Sequence, residues 1–292
     1  MSDNSLESNS SIQQPGIMPF GLTQAKSLII EKAKQLVNQL VEYRGHSRPP
    51  FLPQEYSRFV NIREIQIANL GDTSGLLLRS HDGFVIKVNQ SHYQVRQNFS
   101  CAHEIGHILF SDLKLENHIH TIEYRTFNPS KTNEIRARAR EALCDAAAAE
   151  LLMPESVFRK CLSTFGLSIT SIEHLAETFQ VSIQAATKRI SEVSIEPCVA
   201  ILWKPWPKSK PKGLRPVIGK HLSSKANYLP LYKPVNVSSA LYKAYRNDTS
   251  VKTWKLFRDG NTVKRIPVEA KGFGRGEKRF VISFAFPDRQ KT

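Results

Sequence analysis

The stretch CAHEIGHILF, residues 101–110, carries two histidines four apart, a glutamate directly after the first, and apolar residues at most other positions. Side chains at i and i+4 lie on one face of an α-helix, so His103 and His107 can aim imidazole nitrogens at a single ion. Glu104 is next round the helix. There it can reach a water beside that ion without being a ligand itself, which is the division of labour a metallohydrolase needs. The apolar spacing predicts a helix over 99–112.

Two histidines do not complete a catalytic zinc site, which needs a third protein ligand and a fourth position for water. The segment NEIRARAREALCDAAAAELLM, residues 133–153, reads as a long helix capped by Thr132 or Asn133 and stopped by Pro154. Glu141 on this helix is the expected third ligand. Asp145, one turn later on the same face, is expected to accept the proton on a ligand histidine's other nitrogen and so hold the ring. Glu150 competes for the ligand role, but it lies nine residues beyond Glu141 and about half a turn round the helix. The run Ala146 to Ala149 offers small side chains that allow the two helices to approach closely. His118, His120, Tyr93 and Tyr124 are further candidates for contacting substrate or a developing oxyanion. Each of them is also an ordinary loop or surface residue.

Outward from the two helices, residues 23–43 repeat apolar residues at helical spacing. REIQIANL (63–70) alternates like a strand, and SGLLLRSHDGFVIKVN (74–89) reads as two strands about an Asp82-Gly83 turn. Together these predict a small antiparallel sheet ahead of the motif. After it come a helix in PESVFRKCLSTFG and two short helices in SITSIEHLAETFQVSIQAATKRI. The latter have helix-turn-helix spacing over 169–190, but only Gln184, Lys188 and Arg189 offer contacts to bases. A packing unit is the favoured reading of that pair.

The chain has 292 residues and a net charge of +15. The charge is lopsided: residues 197–292 hold 21 Lys and Arg against 5 Asp and Glu, whereas the first 196 are near neutral. That shift predicts a boundary near 196. Residues 1–18 then form a disordered tail, 19–196 the metal-bearing domain, and 197–292 a basic domain suited to nucleic acid or simply to solubility. In the basic third, VAILW, TWKLF, TVKRIPV and RFVISFAF read as strands, SSALYKAYR as a helix, and WPKSKPKGLRP as a linker. GFGRGEK reads as a hairpin turn, since no Lys-Ser/Thr pair opens a helix after it. The expected fold class is α+β. The start lacks the basic and apolar regions of a signal peptide and no stretch is apolar enough to span a bilayer, so a cytoplasmic location without membrane contact is expected. Cys101, Cys144, Cys161 and Cys198 show no paired spacing and read as reduced thiols.

RQNFSCAHEIGHILFSD followed by EALCDAAAAELLMP resembles the ImmA/IrrE-type zinc metallopeptidases, over roughly residues 24–190. The resemblance implies a zincin-like domain in which His103, His107 and Glu141 bind zinc and Glu104 acts as base. It also implies a repressor-like protein substrate, cut in stress response or mobile-element control. Asp145 stands where the family often has Asn. The rival readings are a DNA-binding regulator and an interaction module, in both of which a metal site is structural or non-proteolytic.

Overall fold

The computed structural model describes residues 20–115, 129–206, 212–224, 228–230 and 233–287. Helix α1 (Phe20–Arg44) leads through a short 3-10 turn (Pro53–Phe59) into strands β1 (Ile62–Ala68), β2 (Gly75–Ser80) and β3 (Gly83–Asn89). Then come α2 (Gln94–Asp112), α3 (Pro129–Leu152), α4 (Glu155–Phe165), α5 (Ile169–Thr178) and α6 (Ile183–Val193). The remainder is β4 (Cys198–Pro205), β5 (Gly213–Ser224), β6 (Tyr228–Pro230), β7 (Val235–Asn236), α7 (Ala240–Arg246), β8 (Val251–Asp259), β9 (Thr262–Phe273) and β10 (Phe280–Ala285). The fold is a mixture of helices and two sheets. No helix among the described residues is long and apolar enough to cross a membrane.

The small sheet corrects the antiparallel expectation. Its order is β1-β3-β2, and β1 runs parallel to β3 while β2 pairs antiparallel with it. Burial explains the order: β3 buries Ile86, Val88 and Asn89 and exposes none of its residues, whereas β1 buries only Ile62 and β2 buries none. The most buried strand takes the centre, and β2 is left as an edge beside α2. The hairpin itself closes with Ser80 opposite Gly83. Gly83 has φ +139°, and a side chain there would also strike the carbonyl of Asn61.

Helices α1, α2 and α3 pack through stripes set by their apolar period. Ile29, Ala33 and Leu40 meet Ile105, Ile108, Ala147 and Leu151 in one core, each buried almost completely. Filling such positions with Leu or Ile stabilises by roughly 1.5–3 kcal/mol each. Across the core Arg189 of α6 donates to the Met153 carbonyl and pairs with Glu150, both side chains being buried.

The C-terminal sheet is antiparallel throughout, in the order β6-β8-β9-β10-β4-β5-β7. Strand β4 is apolar on both faces. Val199, Ile201 and Trp203 join a core beneath α7, while Cys198 and Ala200 join the core of the first helices. Phe273, Ile282, Phe284 and Phe286 add to that same first core. β5 departs from the linker expectation: residues 213–216 form strand, because β4 needs a partner on each side and β10 fills only one. A register shift between Ile201 and Trp203 accommodates the irregular β5 sequence.

Candidate metal centre

Helices α2 and α3 cross where Gly106 meets Cys144. A Cβ at position 106 would lie 2.8 Å from the Cys144 carbonyl oxygen and 2.9 Å from its Cα. Only glycine allows this approach, and it brings together side chains nearly forty residues apart in sequence. The Glu141 carboxylate lies 3.1 Å from His103 Nε2 and 3.8 Å from His107 Nε2. Two ligands at 2.0–2.1 Å from a tetrahedral ion stand about 3.3 Å apart; the His103–Glu141 separation is close to that spacing and the His107–Glu141 separation is about half an ångström wider. The donor set, two imidazoles and one carboxylate, suits zinc chemistry.

The far edges of both rings are held as well. His103 Nδ1 donates to Asp145 at 2.9 Å, and Cys144 Sγ lies 3.3 Å from His107 Nδ1. Asp145 and Cys144 thus occupy the ring edges that face away from Glu141. His103, His107 and Cys144 also present donors within 4.8 Å of one another. Burial pushes the Cys144 thiol well above its ordinary value, with the Glu141 charge adding to the effect, and its Sγ stands on the Nδ1 side of the His107 ring.

Glu104 is buried, and its carboxyl lies against β2. A Cβ at Gly75 would come within 2.7 Å of Glu104 Oε1, so the glycine leaves room for the carboxylate beside the edge strand. Burial raises Glu104 above the usual carboxylate range, the His103 charge opposes this, and Glu141 reinforces it. Burial pulls His103 down, but the Asp145 hydrogen bond and the surrounding carboxylates leave it raised. His107 is lowered, chiefly by burial and then by the charge of His103.

A groove of about 720 Å³ opens over these residues, with Ser74 to Leu77, Arg96, Phe99 and Arg140 among its other walls. Phe99 and Asp145 also border a second cleft of about 440 Å³, which runs between α6 and strands β4 and β10. Of the other sequence candidates, Tyr93 precedes α2, is 74% exposed, has Lys278 against its ring, and does not line the groove. His118, His120 and Tyr124 lie outside the described residues. Glu150 is tied to Arg189, away from both histidines. Arg140, Gly75, Phe99 and the thiol of Cys144 join the site without a sequence expectation. Nothing in their local pattern marks them, although the place of Cys144 beside Asp145 is a signal of its kind.

Residues 61–191 match the model of the IrrE N-terminal-like domain family, a family of metallopeptidases. The chain is 32% identical over 143 residues to the radiation response metalloprotease IrrE of Deinococcus radiodurans, covering 49% of this chain and 40% of that protein. To the Deinococcus deserti protein of the same name it is 31% identical over 116 residues, covering 39% and 38%. The chain therefore spans about two-fifths of the length of these curated relatives. Among solved structures, a Mycobacterium tuberculosis transcriptional regulator superposes with a TM-score of 0.58 at 14% identity, covering 92% of this chain and 81% of that one. The similarity of fold thus extends past the matched domain into the C-terminal sheet.

Proposed function

We propose that this chain, whose residues 61–191 belong to the ImmA/IrrE-type metallopeptidase family, is a zinc-dependent endopeptidase acting on a repressor-like protein. The observation that carries the reading is the Glu141 carboxylate facing Nε2 of both His103 and His107. His103, His107 and Glu141 would hold the zinc, with Asp145 fixing the His103 ring. Bound there, zinc supplies a Lewis acid that polarises a peptide carbonyl and acidifies water. Glu104 takes the proton of the attacking water on its carboxylate and returns it to the leaving amide nitrogen. Strand β2, an edge beside the groove, is placed to pair with an extended substrate backbone. The four free cysteines accord with a reducing, cytoplasmic setting.

Glu104→Gln is expected to keep stoichiometric zinc while losing about a hundred-fold or more in turnover on a cleavable repressor. His103→Ala is expected to lose the metal. Elemental analysis paired with a cleavage assay decides the matter: an E104Q variant that cuts at the wild-type rate removes Glu104 from the mechanism.

A second reading, a regulator with a non-proteolytic metal site, draws support from the fold shared with the mycobacterial transcriptional regulator. The helix pair α5 and α6 gives it little help. Thr187 and Arg189 of α6 are buried, and α6 packs against β4 and β5. Zinc-loaded protein that cuts no repressor yet changes transcription would favour this second reading.

A further inference from the structure

Beyond the metal centre, the geometry points to a binding surface for single-stranded DNA on the outer end of the C-terminal sheet. Strands β8 and β9 pair with Leu256 opposite Arg265 and Arg258 opposite Val263, and directly paired residues share a face. The side chains of Lys252, Trp254, Leu256, Arg258, Val263 and Arg265 therefore stand on one surface. The reverse face is core, holding Phe257 and Ile266. Farther along β9, the same surface is covered: Glu269 accepts from the Ile169 backbone N–H, and Lys271 donates to Glu173 of α5. Beyond the reach of α5, Trp254, Leu256, Arg258 and Val263 are exposed.

This open end exposes a tryptophan at 49%, with Leu256 at 44% and Val263 at 54%. Alone, such a patch fits many partners, but here charge selects among them. Arg258 and Arg265 flank it, the latter with its guanidinium over the Trp254 ring at 5.4 Å, and Lys252 stands at its border, directly opposite Glu269. Carboxylates are missing from the open part of this face among the described residues, and residues 197–292 carry a large cationic excess. A polyanion is the complementary occupant. Bases within a duplex hide their faces in the stack, so an exposed indole between cations fits a strand with unpaired bases. Among the described residues, this open end places no hydroxyl or amide side chain beside Trp254 to read a ribose 2′-OH. Lys252 and Arg258 lie about 20 Å apart along the strand, which leaves room for backbone contacts on both sides of a base stacked on Trp254.

The test is fluorescence anisotropy of the full chain with labelled oligothymidine, oligouridine and a duplex of equal length. Oligothymidine should bind tightest. Its affinity should fall with salt at a log-log slope between about −1 and −2, as two or three cation contacts give on a single strand. Trp254→Ala should weaken binding roughly ten-fold, and Arg258→Glu should flatten the salt slope. Reversing the charge of Lys243 and Arg246 on α7, which packs on the opposite face of the sheet, should change little. Equal binding of duplex, tighter binding of oligouridine, unchanged affinity in the Trp254→Ala variant, or equal loss from the α7 variants would each overturn the assignment. None of these readouts depends on peptidase activity.

Discussion

Asp145 and Cys144 are neighbours on α3, yet each engages a different histidine, because one residue of helix turns the side chain by about 100°. Asp145 is the stronger partner, since a carboxylate accepting from an imidazole N–H fixes ring orientation and raises ligand basicity. Asp145→Ala should lower zinc affinity roughly ten- to hundred-fold in a chelator competition while leaving the circular dichroism spectrum unchanged. Asp145→Asn keeps an acceptor oxygen and should stay within a few-fold of the parent. An alanine variant that holds zinc as tightly as wild type would mean that His103 needs no such support. At this scale the sequence is informative: His103, Glu104, His107, Glu141 and Asp145 follow from helical spacing, and all five line one groove. Tyr93 is not legible in the same way, because the direction a capping residue faces depends on neighbours such as Lys278, far along the chain.

At the level of elements, the helices are readable because their apolar period is local, whereas the order of the three small strands is not. A hairpin reading leads naturally to an antiparallel meander. The competition for the buried centre of the sheet, won by β3, involves all three strands at once. Two glycines then fit these elements to the site, with different consequences. Gly106→Ala presses a methyl group against the backbone of α3 and should cost about 1–3 kcal/mol in urea unfolding, with weakened zinc binding as the helices part. Gly75→Ala meets only the end of the Glu104 side chain, which can swing aside. Its stability and zinc content should match wild type while cleavage falls. Equal losses of stability in both variants would contradict the contacts assigned to these glycines.

Over the whole molecule, the change in charge near residue 196 coincides with a change from helices to sheet, but the hydrophobic core does not stop there. Phe273, Ile282, Phe284 and Phe286 fill the same core as α1 to α3. Exposing four such side chains' worth of contact costs roughly 6–12 kcal/mol, comparable with the full stability of a typical domain. A chain cut after residue 196 should therefore be aggregated or largely unfolded, as size-exclusion chromatography and thermal melts would report. A monomeric, cooperatively melting 1–196 fragment would show instead that the helical part is self-sufficient. The same continuity means that a nucleic-acid assay must use point variants on β8 and β9 rather than a deletion.

By itself the sequence determined the chemistry on offer: a helix presenting His103, Glu104 and His107 on adjoining positions, a second presenting Glu141 and Asp145 one turn apart, and a cationic final third. Those features follow from helical geometry and composition, which act over a few residues. Only the tertiary structure decided that the two helices meet closely enough for Glu141 to face both imidazoles, that β3 rather than β2 takes the centre of its sheet, and that Trp254 stays uncovered. Each of these outcomes depends on close packing between segments distant in sequence, where one missing side chain, as at Gly106, sets the distance that the chemistry requires.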